Sequence, residues 1–399
     1  MKEVCSFENC SGCSACCAVC PVECIVMQSN QEGFEYPVVD IEMCIKCSAC
    51  KVVCPSLHPY DASKVLKTFL CKNIDDSVRL ASSSGGVFSL FAAHYISQGG
   101  IVYGAKLNDE LECEHGEAIT LGECNEFRGS KYVQSRLNNV FHKVKHNLEA
   151  EKPVLFTGTP CHIAGLKHYL RKDYEQLLCV DLVCHGVPSP GVYSLYIKGL
   201  KAKYDSIMSI QFRHKKKGWY NVSDMLINFA DGSTQRLRND RFLLGFLLNT
   251  YLRPSCYACK ANGLRSGSDI TIADYWGSET KFPLHDDKQG VSLVLAKSVK
   301  GIDVVQKIKK NAVLEESTLE HAVLFNKTVF TSSRQNVNRE AFFKDYAQSN
   351  MSFDELAQKY IRLSSAPLTG IAIIIKRIFG YRFYNMLWKV VMEKRQTPE

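Results

Sequence analysis

Cysteine is the residue type whose spacing could do the most chemistry in this chain of 399 residues, which contains 19 of them. Two runs share the pattern C-x2-C-x2-C-x3-C-P, and they are Cys10, Cys13, Cys16, Cys20 with Pro21 and Cys44, Cys47, Cys50, Cys54 with Pro55. In bacterial-type ferredoxins the first three cysteines of such a run bind one 4Fe-4S cluster and the fourth binds the other. We therefore predict one cluster on Cys10, Cys13, Cys16 and Cys54, and a second on Cys44, Cys47, Cys50 and Cys20.

Zinc is the alternative metal for these thiolates. Zinc sites usually join two C-x2-C pairs, whereas each run here places three cysteines in a row before a trailing Cys-Pro. Soft thiolates in this arrangement suit iron and sulfide, so the sequence favours clusters. Cys17 could replace its neighbour Cys16, but only Cys16 matches the register of the second run. We expect Cys5, Cys17 and Cys24 to be small buried hydrophobic residues.

Composition and charge narrow the class of protein. Hydrophobic residues make up 46% and charged residues 23% of the chain, which is typical of globular proteins and excludes a disordered, collagen-like or membrane-embedded chain. The start MKEVCSFENC has no basic region followed by an apolar stretch, so we expect a reducing, cytoplasmic location. The formal charge is +8, and each oxidised cluster with four thiolates would add about −2. The charge therefore predicts no nucleic-acid partner.

Beyond His58 the chain alternates short apolar runs with amphipathic stretches, which is typical of an α/β domain. Strands are predicted at 65–71, 101–107, 153–159, 176–186, 206–215, 224–237, 269–277 and 290–298. Helices are predicted within 83–100, 138–151 and 161–172, and further helices after residue 300. Because Asp231-Gly232 predicts a hairpin, the sheet should be mixed. The fold class is an α+β ferredoxin-type head, an α/β domain with a mixed sheet and a helical C-terminal tail.

The junction between the strand 153–159 and the following helix is a candidate anion site. The strand ends in a glycine-containing turn, and free N–H groups and the helix dipole would both point at a bound anion. An ordinary α/β loop has the same pattern and is the alternative.

Several stretches in this order resemble the coenzyme F420 hydrogenase/dehydrogenase beta-subunit family of iron-sulfur flavoproteins. They are SSGGVFS (83–89), GGIVYGA (99–105), RGSKYVQS (128–135), LFTGTPCHIAGLK (155–167), VDLVCHGVPSP (180–190), FRHKKKGW (212–219), RPSCYAC (253–259) and DITIADYWG (269–277). With the head, the resemblance covers about residues 1–300. It implies a dicluster domain at 1–62, a region like the family's N-terminal part at 63–150, a flavin and iron-sulfur region at 151–320, and a tail at 321–399.

The resemblance also implies FAD. Its binding residues would be Ser84, Gly85, Gly86, Ser130, Lys131, Tyr132, Gln134, Gly158 and Thr159. The residue types agree, since glycines let the backbone approach a pyrophosphate, a lysine neutralises charge and a tyrosine stacks, although capping and turn roles are the alternative. Members of the family carry a third 4Fe-4S cluster, for which the candidates are Cys161, Cys184, Cys256 and Cys259. As buried loop thiols, Cys161 and Cys184 would instead be structural.

The leading functional hypothesis is an FAD-dependent iron-sulfur oxidoreductase that passes electrons from its clusters to flavin and an organic substrate. A deazaflavin (F420) and an intermediate of a surface-polysaccharide pathway are the candidate substrates. Lys131 and His185 are the candidates for proton handling near the flavin. The alternative is a ferredoxin-like electron-transfer subunit without flavin chemistry of its own that serves a partner enzyme.

Two basic segments bear on partners. FRHKKKGW (212–219) is either a solvated loop or a surface for an acidic substrate or a ferredoxin-like electron donor or acceptor. The final segment from Pro367 mixes apolar, aromatic and basic residues, and its apolar runs are too short to span a bilayer. It is compatible with peripheral membrane contact as an amphipathic helix, or with packing onto this protein or a partner.

Overall fold

A computed structural model describes residues 3–215, 218–220, 222 and 224–361 of the chain. The strands of these residues form a two-stranded sheet, a three-stranded antiparallel sheet and an eight-stranded mixed sheet. The predicted fold class is confirmed, with a small ferredoxin-like region, a mixed α/β sheet and helices towards the C-terminal end of the described chain. The segment from Pro367, for which we considered membrane contact, lies outside the described residues.

The head is built from two similar halves. Its elements are α1 (Ala15–Ala18), β1 (Ile25–Ser29), β2 (Glu35–Val39) and α2 (Ala49–Val52). Ser14 and Ser48 precede the two short helices with left-handed φ angles of 59° and 62°, at equivalent places in the two cysteine runs. The small core is formed largely by cysteines beside Val4, Ile25 and Val39. Phe34, Ala15 and Val53 of the head are instead buried in clusters that they share with the body.

The remaining strands form the body and its satellite sheet. They are β3 (Lys67–Asn73), β4 (Ile101–Leu107), β5 (Cys113–Ala118), β6 (Val154–Gly158), β7 (Leu177–Leu182), β8 (Ile207–Gln211), β9 (Met225–Phe229), β10 (Thr234–Leu237), β11 (Ile270–Asp274), β12 (Ser292–Ala296) and β13 (Ala312–Ser317). The large sheet has the order β13-β3-β12-β11-β7-β6-β4-β5. Its central strands β4, β6, β7 and β11 are parallel, and antiparallel strands extend it on both sides.

Helices cover both faces of the large sheet. The body helices are α3 (Asp76–Leu80), α4 (Val87–Ile96), α5 (Leu121–Cys124), α6 (Val140–Glu149), α7 (Pro160–Leu170), α8 (Pro190–Lys203), α9 (Arg241–Leu247), α10 (Val299–Lys307), α11 (Leu319–Phe325), α12 (Arg339–Gln348) and α13 (Phe353–Tyr360). Leu155 and Leu178 pack with α4 and α10, while Val154 and Phe156 pack with α6 and α7. Because alternate residues of a strand face opposite sides, burial on both faces explains the continuous apolar runs.

The satellite sheet contains the predicted hairpin. Strands β9 and β10 pair antiparallel across Asp231-Gly232, where Gly232 has a φ of 80° that favours glycine. Strand β8 pairs on the other side of β9. None of the helices in the described part of the chain is long and apolar enough to cross a membrane.

Candidate functional site

Four cysteines of the head line one cavity of about 320 Å³, measured with its opening to solvent. They are Cys10, Cys13, Cys16 and Cys54, the combination expected from the ferredoxin spacing, and we call them the first head set. All four are buried. The turn at Ser14 lets Cys13 and Cys16 face the same space, while the helix α2 brings Cys54 back from the second run.

Cys5 also lines this cavity. Its thiol donates to Cys10 and lowers the pKa of Cys10 to about 6, and Arg253 and the N–H of Gly12 act in the same direction against the effect of burial. The same thiol lowers the pKa of Cys54 to about 7. These two cysteines are therefore readily ionised, as cluster ligands must be. The sequence-based expectation that Cys5 is only a small hydrophobic residue omits this contact.

The second head set consists of Cys20, Cys44, Cys47 and Cys50. Burial raises the pKa of Cys50, and the neighbouring Cys47 and Cys44 add to the effect, so these three thiols lie near one another. Cys20 Sγ lies 3.4 Å from Cys24 Sγ, and Cys24 in turn contacts Cys44. Cys47 is exposed, whereas the first head set is buried. A cluster at the second set would therefore lie at the protein surface.

Four cysteines of the body, which we call the body set, line a further cavity. They are Cys161, Cys184, Cys256 and Cys259. Strands β6 and β7 are parallel neighbours, so Cys161 and Cys184, which follow their carboxyl ends, reach the same edge of the sheet. A 3-10 turn at Pro254–Ala258 supplies Cys256 and leads to Cys259.

The four thiols of the body set share a buried environment and affect one another's pKa values. Burial raises the pKa of Cys161 to about 11 and that of Cys256 to about 12, and Cys259 adds to both. Burial also raises the pKa of Cys184, with the other three thiols adding to the effect. Ionising all four thiols together would require positive charge in the cavity, which iron would supply.

Zinc and 4Fe-4S clusters place different demands on the arrangement of thiols. In the described ranges, no group of three His, Cys, Asp or Glu side chains converges on a point where a single ion could bind. A tetrahedral zinc ion would need sulfur atoms about 3.8 Å apart, as its bonds of about 2.3 Å require. Four thiols around one cavity are the number of ligands that a 4Fe-4S cluster requires.

The first head set and the body set are adjacent. The cavity of the body set is also lined by Asn9, Ser11, Pro55 and Ser56, which are neighbours of Cys10 and Cys54 in the head. Helix α7, which carries Cys161 in its first turn, packs on the first head set. A Cβ atom at Gly165 of this helix would lie 3.0 Å from Cys13 Sγ.

Two of the loops expected to bind flavin, around Ser84 and around Ser130, meet each other. Ser130 donates from its backbone N–H and its hydroxyl to Ser83 Oγ, at 2.8 and 3.0 Å. Ser84 Oγ donates to the carbonyl of Val291 at 2.8 Å, and Gly85 N–H donates to Ser292 Oγ at 3.0 Å. A side chain at Gly85 would collide with the carbonyl of Cys71, which explains the need for glycine there.

The other predicted flavin residues lie at two further places. Gln134 donates to the carbonyl of Ser11 at 2.9 Å and accepts from Arg253 at 3.0 Å, so its amide binds the head. Gly158 and Thr159 lie beside the body set, where Thr159 Oγ1 is 3.2 Å from Cys161 Sγ. These three residues therefore contact the head and the body set in the structure.

Tyr132 lies between the flavin loops and the body core. Its ring stacks on the ring of Phe246 with centroids 4.8 Å apart, and it meets the ring of Phe212 edge-on at 6.0 Å. One face of Tyr132 is thus covered by protein. Stacking on a ligand would have to use the other face.

The two candidates for proton handling have separate partners. Lys131 Nζ donates to the carbonyls of Glu126 and Arg128 at 2.6 and 3.1 Å, and burial lowers its pKa to about 8. His185 lines the body-set cavity, and its Nε2 lies 2.6 Å from Asn249 Oδ1. Burial lowers the pKa of His185, while the contact with Asn249 raises it.

The run FRHKKKGW is not simply a solvated loop. Arg213 is buried and forms an ion pair with Asp274 at 2.5 Å. Lys215 is also buried, and its Nζ donates to the carbonyls of Arg79, Ser84 and Gln289 at 2.6 to 2.7 Å. Burial lowers the pKa of Lys215 to about 7. Lys216 and Lys217, which we considered for an acidic partner, lie outside the described residues.

Arg253 is a further residue whose role the sequence analysis did not anticipate. It is fully buried between the head and the body. Its Nε donates to the carbonyl of Cys10 at 2.6 Å, and its Nη2 lies 3.7 Å from Cys10 Sγ. In the sequence, its position three residues before Cys256 could have indicated a place beside the candidate metal ligands.

Comparisons with known proteins agree with the motifs. Residues 151–322 match the family described as the C terminus of the coenzyme F420 hydrogenase/dehydrogenase beta subunit, and residues 9–57 match the 4Fe-4S dicluster domain. No curated protein matches the chain. A solved structure of the F420-reducing NiFe hydrogenase complex from Methanosarcina barkeri is similar, with 14% identity and a TM-score of 0.43, over 75% of this chain and 90% of that chain. Residues 151–322 therefore form a region like the C terminus of the coenzyme F420 hydrogenase/dehydrogenase beta subunit, and residues 9–57 form a 4Fe-4S dicluster domain, in agreement with the resemblance of the motifs.

Proposed function

We propose that this iron-sulfur oxidoreductase is an FAD-dependent enzyme that carries electrons between the surface of its head and an organic substrate bound in its body. The observation that carries this proposal is the order in space of the three cysteine sets, from the protein surface to the interior. Cys47 of the second head set is exposed, the first head set is buried, and its cavity adjoins that of the body set. Such an order suits electron transfer from the surface to the interior.

Each cysteine set would hold one 4Fe-4S cluster. The ligands would be the first head set, the second head set and the body set, as defined above. The clusters would exchange single electrons, and the second head set, of which Cys47 is exposed, would meet a ferredoxin-like electron donor or acceptor. Ligation by thiolates suits a reducing cytoplasm.

The FAD proposal rests on the region around the N-terminus of α4. Gly86 begins this helix with a φ of 79° and has no side chain to cap it. Ser83 and Ser130 lie together at this end, and Arg128 Nε donates to Ser89 Oγ in the first turn at 3.2 Å. Helix N–H groups beside a guanidinium suit a pyrophosphate. When bound, FAD would exchange single electrons with the clusters and electron pairs with a substrate.

The substrate would be a small organic molecule, for which a deazaflavin such as F420 is the first candidate because of the family. In this proposal Lys131, with a pKa of about 8, would hold a proton at Nζ near the flavin loops. His185 would hold or move a proton in the lining of the body-set cavity.

The test is to purify the protein without oxygen and to measure flavin and iron for each chain. We expect about one FAD and about 12 irons, since three clusters hold four irons each. Replacing both Cys256 and Cys259 by serine should reduce iron to about 8. Cys124→Ala, which removes a buried cysteine outside the three sets, is the control and should leave iron unchanged.

Two results would contradict parts of the proposal. If FAD is absent and cannot be restored by adding it, the chain is an electron-transfer subunit for a partner enzyme. If the wild-type protein holds only about 8 irons, the body set does not bind a cluster.

A further inference from the structure

Arg253 is a buried cation that forms no ion pair with a carboxylate among the described residues. Its guanidinium is fully buried. Within the described residues, no carboxylate lies at ion-pair distance from it. Burying a charge without a counter-charge is costly, so the native state should contain one.

The neutral partners of Arg253 fix its position. Besides Cys10, it donates from Nη1 to Gln134 Oε1 at 3.0 Å and from Nη2 to the carbonyl of Glu35 at 2.9 Å. Its guanidinium lies over the rings of Tyr36 and Phe34, at 4.2 and 5.4 Å from their centroids. These contacts hold the charge in place but do not neutralise it.

Arg253 is also close to both sets of thiols. Its Nη2 is 3.7 Å from Cys10 Sγ of the first head set. In the body set, the backbone N–H of Cys256 donates to the carbonyl of Arg253 at 3.0 Å. The second head set has no hydrogen bond or ion pair with Arg253 among the described residues.

A second buried arginine provides a comparison. Arg339 also joins the body to the head, but it forms a bidentate ion pair with Glu32, at 2.9 and 2.6 Å. Its guanidinium lies over the ring of Phe343 at 4.5 Å, as that of Arg253 lies over Tyr36. The two arginines therefore share a docking role and differ in whether a protein carboxylate neutralises them.

We propose that Arg253 is the counter-charge for the clusters of the first head set and the body set, and that it raises the reduction potential of both. The inference rests on the proposed function, because it requires those clusters. One-electron reduction adds one negative charge to a cluster and changes no bond to Arg253. A fixed cation stabilises the more negative reduced form, so electrons are drawn inward from the second head set. Arg253 is thus a positioning and tuning residue.

The experiment is a redox titration of the anaerobic, full-length protein, followed by electron paramagnetic resonance. In Arg253→Gln, two of the three cluster potentials should fall and one should stay unchanged. The expected fall is a tenfold loss in the equilibrium constant for accepting an electron, which corresponds to about 59 mV. Arg253→Lys retains the charge and should stay near the wild-type potentials.

A second variant covers the case in which Arg253→Gln fails to assemble its clusters. Gln134→Glu would place a carboxylate beside Arg253 without removing the guanidinium, because Gln134 Oε1 already accepts from it. The same two potentials should fall. The control for a loosened head is the double variant Arg339→Gln with Glu32→Gln, which should leave all three potentials unchanged.

The possible results separate the inference from the proposed function. If Arg253→Gln binds as much iron as the wild type and its potentials are unchanged, the proposed role of Arg253 is wrong. If Arg253→Gln does not assemble its clusters, the same result in Gln134→Glu would show this. An equal fall in the Arg339 and Glu32 double variant would also overturn it, since loosening of the head would then be the cause. Absence of iron from the wild-type protein would instead refute the proposed function, and this inference with it.

Discussion

At the scale of single residues, two histidines lie ring to ring in the interior of the body. The ring of His115 meets that of His162 edge-on, with centroids 5.1 Å apart, and stacks on the ring of Phe156 at 5.5 Å. Its nitrogens contact Ser135 Oγ at 2.8 Å and the carbonyl of Thr157 at 3.1 Å. Burial lowers the pKa of His115 to about 4. The folded protein therefore keeps this ring neutral at neutral pH.

His115 should make the fold less stable in mild acid. Between about pH 6.5 and 4 the unfolded chain binds a proton at this residue and the folded chain does not, so stability falls as the pH falls. Lowering the pH from about 7.5 to about 5.5 should reduce the free energy of unfolding of the wild type. In His115→Gln this reduction should be smaller by about 1.4 kcal/mol. Urea unfolding at the two pH values measures this difference.

The exposed His146→Gln is the control for loss of a histidine. It should retain the wild-type dependence on pH. If His115→Gln loses as much stability as the wild type over this range, the His115 ring takes up its proton in the folded protein as readily as in the unfolded chain.

Sites formed by residues at short spacing could be predicted from the sequence, whereas contacts between residues far apart in the chain could not. The first head set follows from the spacing of two runs, since ferredoxin turns are local. Arg253, by contrast, contacts Cys10 across 243 positions of sequence. Lys215 likewise binds the carbonyl of Ser84, 131 positions away. A basic run predicts charge but not which of its side chains the fold will bury.

At the scale of elements, helix α7 depends on a glycine for its contact with the head. A Cβ at Gly165 would lie 3.0 Å from both Cβ and Sγ of Cys13. The helix backbone and the cysteine loop would have to separate. The matched position is Gly199 in α8, where a Cβ would meet no atom within 4 Å.

Gly165→Ala should therefore disturb the first head set. We expect the variant to lose iron from one cluster of the head, because displacing Cys13 removes a ligand. Gly199→Ala should keep its iron and gain roughly 0.5–1 kcal/mol in unfolding free energy, as alanine is the better helix former. Iron content and thermal unfolding of the two variants test this. Equal iron in both would show that the loop carrying Cys13 moves without losing its ligand geometry.

The elements that the sequence predicted are those with long apolar runs. Strand β4 was predicted at its observed bounds, and β6 and β12 within about one or two residues, because burial on both faces makes them continuously apolar. The edge strands β5 and β13 were missed. β5 reads CEHGEA and has no apolar run, while β13 reads AVLEES and has an apolar run of only three residues. Helix α8 was missed because Pro190-Gly191 at its start has the composition of a loop.

At the scale of the whole molecule, the head is held against the body by close backbone packing. Gly191 N–H, at the start of α8, donates to the carbonyl of Gly33 at 3.1 Å. Ser189 Oγ donates to the carbonyl of Glu32 at 2.5 Å. A Cβ at Gly33 would lie 2.6 Å from the Cα of Gly191. These contacts lie in the head hairpin, away from the cysteines.

Gly33→Ala should loosen the head without removing a cysteine. Gly99→Ala is the matched control, because both glycines have a left-handed φ, of 74° and 71°, but a Cβ at Gly99 would meet no atom within 4 Å. Both variants should lose roughly 1–2 kcal/mol from the strained φ, and only Gly33→Ala should also lose the packing of head on body. Limited proteolysis of the connecting segment 57–66 should then be several-fold faster in Gly33→Ala. Equal cleavage of both variants would mean that the remaining contacts, among them those of Arg339 and Arg253, hold the head without this glycine.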